Sequence, residues 1–314
     1  MYKIGIDLGG TNTVAGLVDE NGQIIDRAAV KTDLPTTIEK IVSNVLHLTN
    51  ILLENHALTV QDVVSLGVGV PCTANKETGC MEDADHLGFP GGQLIAPLRQ
   101  ALQIPIYIEN DANAAAWGEY RAGHYGADSF FLVTLGTGIG GGIICNGKLL
   151  SGINHAAGEL GHMTIDLQGN PCVCGRRGCF ETYASATALI RQAKAAMAGN
   201  STTLLWQLCG SNTEKLEAKT VFAAAAQGDA LAQKLINEYT TYLAEGLTNI
   251  VNIFAPAYLC IGGGVSHAGD QLLTPVKEKI YQRMYAKTGT KKPQIVLAQL
   301  HNDAGILGAA LLEN

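Results

Sequence analysis

Residues 4–22 read IGIDLGGTNTVAGLVDENG, and residues 130–147 read FFLVTLGTGIGGGIICNG. In the first stretch Ile4, Ile6 and Leu8 alternate with Gly5 and Asp7, the period-two pattern of a strand. That strand runs into Gly9-Gly10-Thr11. A second apolar stretch follows from Val14 to Val18, and Asn21-Gly22 marks a hairpin turn before Ile24-Ile25. The second stretch repeats the plan. Phe130 to Leu135 reads as a strand, Gly136-Thr137-Gly138 as a turn, Gly142 to Cys145 as the next strand, and Asn146-Gly147 again as a hairpin turn. Two such units predict a duplicated α/β architecture. The shared stretch is short, so chance likeness of two glycine-rich hairpins is the competing reading.

Helical spacing fills the intervals. It predicts helices over 37–54, 112–122, 184–198 and 230–254, and a short apolar helix over 304–312. Tyr258 to Ile261 is a further strand, ending in Gly262-Gly263-Gly264. Three glycine turns thus sit at strand ends: DLGGTNT (7–13), LGTGIGGG (135–142) and IGGGV (261–265). Glycine lets the backbone close on a phosphate, a threonine adds a hydroxyl donor, and Asp7 could hold Mg²⁺ directly or through water. Taken singly, each reads more readily as an ordinary turn; three at strand ends together point to a nucleotide cleft. Neither the Walker A nor the dinucleotide fingerprint is present.

The bulk composition agrees with a large globular protein. The chain has 314 residues, 47% hydrophobic and 16% charged, with 37 glycines. That length exceeds one small core and suggests one large or two medium domains. A net charge of −7 without a basic stripe makes nucleic acid a poor partner. Lys291-Lys292 reads as a solvated loop. No apolar run has membrane-spanning length, and the chain begins in a strand pattern. The expected location is the cytoplasm, where thiols stay reduced and clustered cysteines bind metal more readily than they pair.

ENDANAAAWGE (109–119) ends a strand and begins a helix. Two readings of Asp111 stand together: a helix N-cap, or a carboxylate aimed into a cleft to orient a hydroxyl and take its proton during phosphoryl transfer. Further on, GELGHMTIDLQGNPCVCGRRGCFET (158–182) gathers three of the eight cysteines. Cys172, Cys174 and Cys179 are soft ligands, and His162 makes a fourth. Cys₃His is a tetrahedral structural zinc set; a redox pair is the rival. With four protein ligands the zinc would be structural and would fix His162 and the flanking Glu159 and Glu181, groups suited to hydrogen-bonding a polyol.

Together DLGGT, ENDANAAAWGE, LGTGIGGG, AGELGHM, CVCGRRGCFE and IGGGV resemble the ROK family of sugar kinases, repressors and related proteins, and within it most closely the bacterial glucokinases. The motifs stand in the family's order along nearly the whole chain. The resemblance implies a two-lobed actin/hexokinase-type (ribonuclease H-like) ATPase fold with duplicated domains. It implies ATP-dependent phosphorylation of a hexose, with Mg²⁺ accompanying the ATP and a structural Zn²⁺. Asp111 matches the family's catalytic base. Asn110, Asp111, Glu159, His162 and Glu181 match its sugar contacts, and His162, Cys172, Cys174 and Cys179 its zinc ligands. Asp7, Gly9, Gly10, Thr11, Asn12, Thr137, Gly138, Gly263 and Gly264 fall on its nucleotide-site motifs. A homodimer is common in the family.

The expected domains are 1–115 plus the C-terminal helix at about 302–314, and 116–301 with the zinc loop. Two positions depart from the pattern. Cys72 stands where similar kinases have glycine beside the sugar, and His86 where asparagine is usual. Glucose is the expected substrate, with allose, fructose or N-acetylmannosamine as alternatives. A sugar-responsive regulator is the other functional class. Regulators of the family carry a DNA-binding segment ahead of the DLGGT strand, whereas here six residues precede Asp7 and the charge is acidic. A sugar-binding protein without catalysis is a third reading, opposed by Asp111 and the phosphate turns.

Overall fold

A computed structural model describes residues 1–288 and 291–313. The chain opens with β1 (Tyr2–Leu8), β2 (Asn12–Val18) and β3 (Ile24–Lys31), followed by α1 (Ile38–Asn55) and β4 (Val63–Val70). Three short strands, β5 (Thr73–Asn75), β6 (Cys80–Glu82) and β7 (Gly91–Gln93), and α2 (Ile95–Leu102) lead to β8 (Ile106–Asn110) and α3 (Asp111–Ala122). The plan then begins again with β9 (Ser129–Leu135), β10 (Ile139–Cys145) and β11 (Lys148–Leu149). Five helices follow: α4 (Glu181–Ala184), α5 (Ala186–Ala198), α6 (Leu204–Leu208), α7 (Ala218–Ala226) and α8 (Ala230–Phe254). The chain ends with β12 (Tyr258–Gly262), α9 (Asp270–Arg283), β13 (Gln294–Leu297) and α10 (Asp303–Ala310).

The duplication read from the glycine turns is present. One sheet has the order β3-β2-β1-β4-β8 and another β11-β10-β9-β12-β13, which match position by position. β1 pairs antiparallel with β2 and parallel with β4, which pairs parallel with β8. β12 pairs parallel with both β9 and β13. Asn146 (φ 51°) and Gly147 (φ 71°) form the two-residue hairpin loop between Cys145 and Lys148, the primed turn whose twist matches the flanking strands. The chain divides into two compact units: Met1–Asp128 with Gly142–Gly158 and Gln299–Asn314, and Ser129–Gly141 with Glu159–Ala298.

In the first unit, β1 and β4 carry Ile4, Ile6, Leu8, Leu66, Val68 and Val70 into a core shared with α1 and α2. The paired Gly5 and Gly67 face α10. A Cβ on either would stand 1.9 Å from a backbone oxygen of that helix, Ile306 O or Ala309 O. A Cβ on Gly308 of α10 would stand 1.6 Å from Ala114 O of α3. Backbone therefore meets backbone, and α3 is locked against the sheet whose β8 feeds it. Glu119 of α3, fully buried, accepts the N–H groups of Gln299 (2.6 Å) and Leu300 (3.0 Å) and fixes the approach to α10.

The second unit hangs on α8. Gly246 of α8 leaves room for the ring of Phe180, which a Cβ there would meet at 2.3 Å. Phe180 is fully buried and lies between Cys179 and Glu181, so the cysteine loop is anchored in the core. The helix expected over 184–198 is α5, which starts two residues later, at Ala186, with α4 ending at Ala184 before it. Ser185 stands between them in extended backbone and caps α5 by accepting from Ala188 N–H at 3.0 Å, the behaviour of serine at an N-cap. β5, β6 and β7 have three residues each, too few for a period to show. Among the described residues no helix is long and apolar enough to cross a membrane.

Candidate active site

The first unit presents one set of groups. The Gly9–Thr11 turn is closed by Gly9 N–H donating to Asn12 O at 2.9 Å. It is braced by Thr32, whose hydroxyl donates to Gly9 O (2.6 Å) and whose N–H donates to Thr11 O (3.0 Å). Thr32 went unread in the sequence because it stands about twenty residues beyond the motif, just past the end of β3. Gly10, Thr11 and Asn12 are exposed. Asp7 lies behind the turn against α10, where a Cβ on Gly305 would meet its Oδ2 at 2.8 Å. Burial pushes the Asp7 carboxyl above its ordinary value. A hard cation would offset that cost, so this position fits Mg²⁺.

At the end of β8, the cap of α3 is Asn110 rather than Asp111. Asn110 Oδ1 accepts from Ala112 N–H (3.0 Å) and Asn113 N–H (3.1 Å), while its Nδ2 donates to Cys72 O (3.3 Å). Asp111 is the first helical residue, and its Oδ1 accepts from Ala112 N–H at 2.7 Å. The capping reading of Asp111 is thereby corrected: the amide before it does that work, and the carboxylate sits at the positive end of α3. Cys72 is buried, with the carboxylates of Asp111, Asp83 and Glu82 acting on its thiol. His86 lies exposed in the turn Asp85–Leu87. Behind Asn110, the fully buried Glu109 accepts from Asn110 N–H (2.9 Å) and Asn113 Nδ2 (3.2 Å) and forms an ion pair with Lys76.

The second unit presents the other set. Gly136 N–H donates to Gly138 O (3.0 Å), closing the turn that carries Thr137. Gly263 (φ 79°) lies against the end of β9, where a Cβ would stand 2.5 Å from Leu135 N. A Cβ on Gly138 would stand 2.6 Å from Glu181 Oε2. Thus Gly138, beside Thr137, meets Glu181, and Gly263 meets the end of β9 just before the Gly136–Gly138 turn, with Gly264 opening the turn that follows β12. Glu159 and His162 flank the short turn Leu160–His162, and Gly161 presses it onto the start of β10, where a Cβ would meet Ile139 O at 2.2 Å. Arg176 holds that turn from outside, donating to His162 O (3.3 Å) and Thr164 Oγ1 (2.6 Å).

The four metal-ligand candidates come together. The ligand atoms of His162, Cys172, Cys174 and Cys179 all lie within 4.8 Å of one another. Cys172 Sγ stands 3.6 Å from His162 Nδ1, and Cys174 Sγ 3.6 Å from Cys179 Sγ. A tetrahedral zinc has ligand–ligand edges of about 3.5–3.8 Å, given Zn–S near 2.3 Å and Zn–N near 2.05 Å. The spacing fits, and all eight cysteines are free thiols. Glu181 Oε1 accepts from Cys172 Sγ at 3.0 Å and lies 3.7 Å from His162 Nδ1, whereas His162 Nε2 faces Glu159 Oε2 at 3.9 Å.

The description of the ROK family fits residues 3–314. The chain is similar to a glucokinase of Halalkalibacterium halodurans, 35% identical over 99% of this chain and 94% of that one. It is similar also to an N-acetylmannosamine kinase of Citrobacter koseri, 32% identical over 99% and 98%. Among solved structures, a ROK family glucokinase from Streptomyces griseus in complex with glucose and AMPPNP superposes with a TM-score of 0.85, at 35% identity over 99% and 98% of the two chains. The fold is the actin/hexokinase type that these structures share.

Proposed function

Because the chain belongs to the ROK family of sugar kinases and regulators, we propose that it transfers the γ-phosphoryl group of ATP to the C6 hydroxyl of glucose. The family, the glucokinase relatives and the likeness to a kinase holding glucose and an ATP analogue support this reading. The observation that carries it is the alternation around His162. Thiols lie on one side of the ring and Glu159 on the other, with Glu181 near the first nitrogen. Imidazole N–H and carboxylate oxygens in fixed alternation suit the donor and acceptor hydroxyls of a sugar.

In this reading Asp111 accepts the C6 proton as the new O–P bond forms and ADP leaves. Asn110 hydrogen-bonds the sugar beside it. The Gly9–Asn12 turn in the first unit, and the Gly136–Gly138 turn with Gly263–Gly264 in the second, each offer backbone N–H groups suited to phosphate oxygens. Asp7 would hold the Mg²⁺ that accompanies ATP, an ion that would neutralise charge on the phosphates. His162, Cys172, Cys174 and Cys179 would hold a structural zinc ion, since four protein ligands leave no open position. A homodimer and a cytoplasmic location belong to the same proposal.

The test is Asp111→Asn. Turnover falls about 10²–10⁴-fold, the usual contribution of a general base, while ATP and glucose still bind by calorimetry. Near-wild-type turnover at saturating ATP and sugar defeats the base assignment.

A further inference from the structure

Glu109 is a fully buried carboxylate one residue before Asn110. Ionised carboxylates are rarely buried unless paired and hydrogen-bonded, and each oxygen of this one has its own task. Oε1 accepts the backbone N–H of Asn110 (2.9 Å) and the side-chain Nδ2 of Asn113 (3.2 Å). It therefore holds the last residue of β8 and the first turn of α3 together. Oε2 meets the Lys76 ammonium as an ion pair. Among the described residues no hydrogen-bond donor other than that ammonium reaches it.

Lys76 comes from a braced turn between β5 and β6. Asn75 Oδ1 accepts from the N–H groups of Glu77 (3.1 Å) and Thr78 (3.0 Å), and Gly79 N–H donates to Asn75 O (2.8 Å). From that turn the ammonium reaches Glu109 and also donates to Ser151 Oγ at 2.8 Å. Ser151 begins the segment that follows β11 and runs toward Glu159. One lysine thus joins three separate pieces of chain: the β5–β6 turn, the β8–α3 junction and the segment after β11.

We propose that Lys76 and Glu109 are positioning residues for phosphoryl transfer. The Lys76 ammonium pairs with Glu109 in its buried place, Glu109 fixes the backbone of Asn110, and that backbone sets where Asn110 and Asp111 present their side chains. A group acting in transfer must be held to within about half an ångström, and a misplacement of about 1 Å costs on the order of 10²-fold in rate. The proposal rests on Asp111 as the base. Asp111→Asn in the same assay separates the two: turnover kept by that variant defeats the base assignment, whereas an inactive Asp111→Asn with unaffected Lys76 variants defeats the positioning pair alone.

The experiment is steady-state kinetics on the full-length chain with Lys76→Met, Lys76→Arg, Glu109→Gln and the Lys76→Met/Glu109→Gln double variant. Lys76→Met lowers kcat about 10–100-fold and leaves KM for ATP within about threefold. Lys76→Arg restores most of kcat because it keeps the charge. The double variant is no worse than the worse single one, since both remove the same interaction. A purely structural pair gives the opposite: melting temperatures fall while kcat, measured well below the transition, stays within about twofold, and that result overturns the proposal. If Lys76→Met does not fold, Glu109→Gln carries the test. Its amide keeps an acceptor for Asn110 N–H but no longer draws the ammonium in, so the same loss of kcat is expected, and kcat within twofold overturns the proposal equally.

Discussion

His162 Nδ1 lies 3.6 Å from Cys172 Sγ. The ring therefore turns its Nδ1 edge to the thiols and its Nε2 edge to Glu159. Coordination through Nδ1 would fix the tautomer with the proton on Nε2, making Nε2–H a donor on the Glu159 side. In the proposed site, metal and sugar would meet opposite ends of one imidazole.

Zinc is thus expected at about one equivalent per chain in protein purified without chelators. Cys174→Ser is the cleanest perturbation because Cys174 is the exposed member of the set. Loss of the ion lowers the melting temperature by about 5–10 °C, at roughly 2–4 °C per kcal/mol for a unit of this size, and raises KM for the hexose. Zinc retention weakens as pH falls, because the ligands must be deprotonated to bind. Metal analysis alongside thermal melts decides; wild-type protein without zinc removes the site.

Asp7 carries a second prediction, with stability and activity moving in opposite directions. Burial raises its folded pKa, so the native state holds this proton more tightly than the unfolded chain. The stabilisation from that proton is fully present below the ordinary carboxylate value of about 3.9 and is lost as pH rises through the raised value. Asp7→Asn removes the charge that the fold disfavours. The ligand-free variant should melt higher than wild type at neutral pH, with the gap closing as pH drops toward 4. Its ATP-dependent turnover should fall steeply at every Mg²⁺ concentration, a trade of stability against function. A variant that melts lower at neutral pH, or keeps its turnover, counts against Asp7 as the cation's partner.

The duplicated sheets were legible because each half announces itself locally: an alternating strand, a glycine turn, then Asn-Gly. The metal set was legible for the same reason, its three cysteines lying within eight residues. What escaped reading depends on contacts between distant segments. Thr32 braces the first glycine turn from just past the end of β3, and Lys76 reaches Glu109 across thirty-three positions of sequence. The role of Asn110 as the cap of α3 was hidden by Asp111 beside it, since both residue types favour that position and only backbone geometry separates them. Ser185 was misread inside a helix because the apolar period continues on either side of it, although serine is itself a start signal.

Cys72 bears on which hexose is taken. It is buried, its carbonyl accepts from Asn110 Nδ2, and it lies in the range of the Asp111 charge. Burial pushes its thiol up to about 12, with the carboxylates of Asp111, Asp83 and Glu82 adding to the rise. It stays neutral at physiological pH, so it acts through volume rather than charge. Its φ is not in the left-handed region, and nothing in the backbone calls for glycine there. Substituents on the sugar near this side chain should be rejected in proportion to their size. Glucose should accordingly be accepted, and N-acetylmannosamine should be a poorer substrate. Cys72→Gly and Cys72→Ala should each raise kcat/KM for N-acetylmannosamine relative to glucose by about tenfold, roughly 1.4 kcal/mol of discrimination at the transition state, and Gly at least as far as Ala. The measurement is kcat/KM for both sugars in all three proteins at saturating ATP. If wild type prefers N-acetylmannosamine by more than about tenfold, glucose is the wrong hexose while the kinase assignment stands. If both variants leave the ratio unchanged, the thiol does not face the sugar.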